Sequence, residues 1–227
     1  MREYIKESLG KKSTFKEYAL YNKKPVYIKD SLPEHVDINY VLQKIENLIP
    51  EPLTYLIDSI IVGELNVFKE KHFNAMYKDG AIYVSNIQDD NEDMVDDIIH
   101  EIAHAVEELA GNEIYEDRKV ESEFLGKRKR LYHTLEAEGF KASEQQFLNT
   151  EYDPEFDEFL YITVGYPILT SLTMGLFISP YAVTSLHEYF ARGFEEYFLK
   201  DPNYIRKISP QLFVKLEHLI NNIQGEI

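Results

Sequence analysis

The segment that most constrains the fold is residues 98–109. There Ile98, Ile99, Ile102, Ala103, Val106 and Leu109 recur at helical spacing beside the polar set His100, Glu101 and His104. Such a helix must bury one side, so the rest of the chain has to supply elements that cover it. Residues four apart lie on one helix face, and His100 and His104 therefore turn both imidazoles toward a single point, a two-point claw for a metal ion. Glu101 sits one step round from His100. It can reach a water at that point but is badly placed to be a third ligand. Gly111-Asn112 supplies a stop signal for the helix.

This is the HExxH arrangement, and its chemistry requires these residue types. Neutral imidazole nitrogen suits Zn²⁺, and a site with three protein ligands leaves a fourth position for water, whose pKa falls from about 15.7 to roughly 7. Glu101 can then take the proton of the attacking water and pass it to a leaving amine. The same three residues arise by chance in ordinary charged helices. The apolar helical setting argues for the metal site.

At 227 residues the chain fits one large domain or two small ones, and 44% hydrophobic with 28% charged residues makes it globular rather than disordered. It has no cysteine, which excludes disulfides, Cys-zinc ribbons and thiol nucleophiles. Residues 1–6 carry acid and no apolar run, so no secretory leader is expected in the sequence as given, and a cytoplasmic location is the default expectation. A net charge of −16 argues against nucleic acid or an anionic membrane as partner. It favours a basic partner or serves solubility alone.

Read in order, residues 1–24 suggest an N-terminal helix or arm, and residues 25–28 a short strand. From Asp37, a candidate N-cap, Ile38, Val41, Leu42, Ile45, Leu48 and Ile49 define a core-packed helix that ends at Pro50. Residues 59–63 read as a buried strand. Residues 73–77 and 81–84 flank Asp79-Gly80 as a hairpin, from whose edge an extended peptide could be paired. The acidic run 89–97 suits the N-terminus of the following helix; it lacks EF-hand spacing for Ca²⁺. Residues 113–150 suggest one or two exposed helices, with the basic run 127–130 a solvated face and His133 at the surface or behind the site. Residues 159–183 contain no charged side chain. Their glycines, prolines and hydroxyl groups favour a buried helix or hairpin over a membrane span.

Two histidines need a third partner, and the best candidate lies in residues 185–198, where aromatic residues at helical spacing define a core-facing helix that can carry Glu188 inward. Ser185 and Glu188 also fit a capping box, and His187 is a rival ligand. With HExxH upstream, the run Glu188-Tyr189-Phe190-Ala191-Arg192-Gly193-Phe194, and Tyr181 seven residues before Glu188, resembles the catalytic domain of anthrax toxin lethal factor and the related Pro-Pro endopeptidases, zinc peptidases of the gluzincin type. The resemblance implies that Glu188 is the third ligand of one zinc per chain and that Tyr181 donates a hydrogen bond to the developing oxyanion. Two departures stand out. The interval between His104 and Glu188 is wide, which makes residues 113–175 an inserted lobe. Where the family places an acid four residues after the ligand, this chain has Arg192, so either Glu195 substitutes or the support is built differently.

The expected protein is thus a single α+β domain over residues 1–227, mostly helical and zincin-like, with a small twisted sheet whose edge borders the active-site cleft. An N-terminal subdomain over residues 1–66 and a helical lobe at about 113–175 are its expected subdivisions. The expected function is zinc-dependent endopeptidase acting on a peptide or protein substrate, a basic one by charge, without nucleic acid or membrane. The alternatives are a zinc amidase or deamidase acting on a small substrate, and a non-catalytic zincin-like binding module.

Overall fold

A computed structural model describes residues 18–65, 68 and 73–225. The helix or arm expected over residues 1–24 falls mostly outside them. Its described end is instead strand β1 (Tyr18–Leu20), which pairs antiparallel with β2 (Lys24–Ile28). Strand β3 (Ser59–Val62) runs parallel to β2, and β5 (Ala81–Val84) parallel to β3. Strand β4 (Ala75–Lys78) returns antiparallel on the outside of β5, giving the order β1-β2-β3-β5-β4. The register sets Val26 beside Ile60 and Ile60 beside Ile82, with Val62 beside Val84, so one face of the sheet is a patch of fully buried aliphatic side chains. The β4–β5 turn has only two residues. Asp79 and Gly80 take φ of 50° and 79°, the left-handed pair that a tight hairpin requires.

Helix α1 (Ile38–Leu48) begins as expected at Asp37, whose carboxylate accepts from the Asn39 amide at 2.9 Å. Helix α2 (Asn91–Tyr115) begins at Asp90, which accepts from the Asp93 amide at 2.9 Å. The acidic run is therefore in part a helix cap. The helix does not stop at Gly111-Asn112. Ile114 is fully buried and the Tyr115 hydroxyl donates back to Glu107, which holds one more turn in place; the chain leaves the helix at Arg118, in the left-handed region at φ 57°. Leu109, expected on the apolar stripe, is half exposed. The stripe is covered by α1, by β4 and β5, and by α7 (Leu186–Leu199).

Helix α3 (Lys119–Ala137) corrects the reading of residues 113–150. Val120, Phe124, Leu131 and Leu135 are buried, and so are Lys127 and Arg128 from the basic run expected to be a solvated face. Arg128 donates to the carbonyls of Asn149 and Gln146, and its guanidinium lies 4.2 Å from the centre of the Phe156 ring. Lys127 Nζ donates to Tyr189 Oη at 2.7 Å and to Ser209 Oγ at 2.6 Å. Each cation is buried because it is hydrogen-bonded. His133 is at the surface, beside Glu136.

Short helices α4 (Glu144–Phe147) and α5 (Pro154–Glu158) lead into a π-helical stretch (Phe159–Gly165) and α6 (Tyr166–Thr173). The uncharged segment is not wholly buried. Leu160, Val164 and Leu169 join the core while Tyr161 and Ile162 are 60% and 65% exposed. No helix among the described residues is long and apolar enough to cross a membrane. After a 3₁₀ turn (Tyr181–Val183) come α7, α8 (Pro202–Ile208) and α9 (Pro210–Gly225). Buried side chains from Leu20 to Leu219 form one cluster, with α2 running through it.

Candidate metal centre

Helix α2 presents His100 and His104 on one face, and α7 crosses it carrying Glu188. The three side chains can each offer one ligand atom, all within 4.8 Å of one another. The two Nε2 atoms stand 3.1 Å apart, Glu188 Oε2 lies 3.2 Å from His100 Nε2, and Glu188 Oε1 lies 3.7 Å from His104 Nε2. Ser185 explains why the carboxylate is available. Its hydroxyl accepts from the Glu188 amide at 3.1 Å and caps α7, while the Glu188 side chain turns to the histidines and leaves the reciprocal half of the capping box unmade.

The outer nitrogens are held from behind. His100 Nδ1 donates to Glu195, whose carboxylate also accepts from Arg192 at 2.8 and 3.1 Å. Glu195 thus occupies the supporting role for which Arg192 itself is the wrong residue type, and Arg192 is recruited as its counter-charge. His104 Nδ1 faces Glu107 at 3.7 Å. That buried carboxylate also binds His187 Nδ1 at 2.9 Å and the Tyr115 hydroxyl. His187, the rival ligand, is therefore half exposed on the outer side of Glu107 and outside the cluster. The sequence reading does not single out Glu107, although an acid three residues after His104, and so on the same side of the helix, is a readable signal.

Two observations show that a metal cation suits this donor set. Glu188 Oε2 is buried facing His100 Nε2 at 3.2 Å, a costly place for a carboxylate oxygen unless a proton or a metal cation is shared there. The field is also cation-seeking. Burial pushes both imidazoles toward the neutral form, yet hydrogen bonds and charges from Glu188, Glu195 and Glu107 outweigh it and raise His100 to about 9 and His104 to about 10. Burial acts on Glu188 in the opposite sense, but the two histidines hold its carboxyl far below the usual carboxylate range. Backed by the Glu195 and Glu107 carboxylates, His100 and His104 would keep their Nδ1 protons and would offer Nε2 to a metal ion held in place of the extra protons.

Glu101 is 6% exposed, and burial raises its pKa against the opposing pull of His100 and His104. The backbone amide of Tyr77, on the outer strand β4, donates to Glu101 Oε2, so the edge of the sheet borders the site. Among the described residues no hydrogen bond joins Tyr181 to the ligands. It stands on the 3₁₀ turn preceding α7 with the Arg192 guanidinium 5.4 Å from its ring centre; burial first, then the Glu188 charge, raise its pKa and keep the phenol neutral. Comparison of the chain with protein-family models, with curated proteins and with solved structures finds no match.

Proposed function

We propose that this protein is a zinc-dependent endopeptidase. The observation that carries the reading is the convergence of His100, His104 and Glu188 beside the buried carboxylate of Glu101. Two imidazoles and a carboxylate form a donor set suited to zinc. Zinc held by these three residues would supply Lewis acidity toward a carbonyl and a water. Glu101 removes a proton from the attacking water and delivers it to the amine as the C–N bond breaks, leaving a carboxylic acid and an amine. Burial supports this role by moving its pKa toward working pH, and the Tyr77 amide orients it. Tyr181 donates its hydroxyl hydrogen to the oxyanion that develops during attack. An outer strand next to the base favours an extended polypeptide over a small amide, since unpaired strand edges bind extended chains.

The test is metal content together with hydrolysis of a mixed peptide library. Wild type should carry about one zinc per chain and cleave peptides. His104→Ala should lose both properties, and Glu101→Gln should keep zinc and lose cleavage. Full peptide cleavage by Glu101→Gln would overturn the reading, and turnover of small amides alone would make the enzyme an amidase.

A further inference from the structure

A cavity of about 430 Å³ opens between the π-helical stretch and the turn, bearing Tyr181, that leads into α7. Tyr181 and Thr184 line it from that turn, and Tyr161 and Tyr166 from the π-helical stretch and the start of α6. The latter two rings meet nearly edge to face, with centroids 6.2 Å apart and planes at 72°. Gly165, at φ +83°, makes the corner that sets them against each other, and a side chain there would be strained. Tyr161 is 60% and Tyr166 46% exposed, so neither ring is committed to the core. Two acidic residues, Asp157 and Glu158, line the cavity, and no Lys, Arg or His is among the lining residues. Asp157 is positioned, with Oδ2 accepting from the Tyr152 hydroxyl at 2.8 Å.

The segment is tied to the site. The Leu186 amide, at the start of α7, donates to the Thr150 carbonyl at 2.8 Å, which anchors the loop before α5 two residues from Glu188 in sequence. The wide interval between His104 and Glu188 therefore builds a wall of the cleft.

We propose that this cavity is a specificity pocket for an arginine or lysine side chain of the substrate, its stem packed against Tyr161 and Tyr166 and its charged head at Asp157 and Glu158. The chemistry of the lining selects that occupant. Aromatic faces attract a cation and shield an aliphatic stem. A carboxylate pair with no cation among the described lining residues gives the head an acceptor; an acidic side chain would be repelled, and a purely aliphatic one would leave the carboxylates unanswered. The volume admits one long side chain together with adjoining main chain. The inference rests on the peptidase reading for its substrate but not for its binding chemistry, and the two can be separated by experiment.

The binding probes are Nα-acetyl-arginine amide and its neutral isostere Nα-acetyl-citrulline amide, titrated into ¹⁵N-labelled wild type, Asp157→Asn and Glu158→Gln. The catalytic probes are matched peptides carrying arginine or citrulline at one position. The arginine amide should shift the amides of Tyr161, Tyr166 and Thr184, and the citrulline amide should bind on the order of tenfold more weakly. Either substitution should narrow that gap, as should Tyr161→Ala, and kcat/KM for arginine over citrulline peptides should narrow in parallel. Cleavage of both peptides at equal rates would refute the pocket and leave the peptidase standing. Binding of the arginine amide at these residues without cleavage of any peptide would refute the peptidase and leave the pocket standing. Equal binding of the two amides, or shifts confined to another face, would overturn the inference.

Discussion

Lys127 is a buried cation whose effect on stability can be worked from its surroundings. Its ammonium sits between the rings of Tyr189 and Phe177, at 4.8 and 5.7 Å from their centres, and donates to Tyr189 Oη and Ser209 Oγ. Burial lowers its pKa from 10.5 to about 8; the Glu123 charge opposes the shift and Arg130 adds to it. At pH 7 both folded and unfolded chains carry the proton, and the fold bears the whole cost of hiding the charge. Between pH 8 and 10.5 the unfolded chain still holds a proton that the folded chain has released, so this group makes stability rise with pH in that window. A shift of this size corresponds to about 3 kcal/mol at ~1.4 kcal/mol per unit. Lys127→Met removes the titration while keeping the stem. Urea unfolding of both proteins at pH 7 and pH 10 isolates the term, because groups shared by the two cancel in the difference. The stability of wild type relative to Lys127→Met should improve by about 2–3 kcal/mol from pH 7 to pH 10. A difference that stays constant across that range would show that the ammonium is not held in a desolvated state, and the reasoning would fail.

Four further outcomes follow from the site and its frame. Glu195→Gln should weaken zinc binding by roughly 10–100-fold in chelator competition, because His100 loses the negative charge behind Nδ1 while keeping an amide oxygen as acceptor; unchanged affinity would remove the Glu195 charge from the centre. Chelation should abolish peptide cleavage while far-ultraviolet circular dichroism is retained, since Ile98, Ile99 and Ile102 are fully buried by the protein's own elements, and collapse of helicity would mean a structural metal instead. Tyr181→Phe should keep zinc and lose on the order of 10²–10³ in kcat, with undiminished turnover excluding it from oxyanion stabilisation. Gly193→Ala would set a Cβ 2.3 Å from Leu212 Cδ2, and overpacking should outweigh a helix-propensity gain of about 1 kcal/mol, for a net loss of about 1–2 kcal/mol in urea unfolding that Leu212→Val relieves.

What the sequence revealed was what neighbouring residues decide. The Asp37 cap, the Asp79-Gly80 hairpin and the helical face joining His100 to His104 each depend on a few adjacent positions, and each is present. Aromatic spacing gave the helix of Glu188 its inward face, but the preference for Glu188 over His187 and over a capping role came from the resemblance of residues 181–194 to a peptidase family; the cap proves to be Ser185 alone, and Glu188 faces the histidines. Features set by distant partners were not legible. Lys127 is buried because of Tyr189 and Ser209, and Arg128 because of Gln146, Asn149 and Phe156, none of which the run of four basic residues announces. The stop at Gly111 failed for the same reason, since Ile114 finds a place in the core beyond it. Strand order and direction also escaped local reading, because parallel pairing of β2, β3 and β5 is a property of the whole sheet. With Arg192 where an acid was expected, either Glu195 would substitute or the support would be built differently; helix geometry puts Glu195 two turns from Glu188 on the same face of α7, against His100 Nδ1.

That spacing has a mechanical consequence. Glu188 and Glu195 approach opposite nitrogens of the same imidazole, so α7 grips a ring belonging to α2 as a caliper grips a rod. Sliding α7 along its axis, or rolling it by one residue, would open both jaws together.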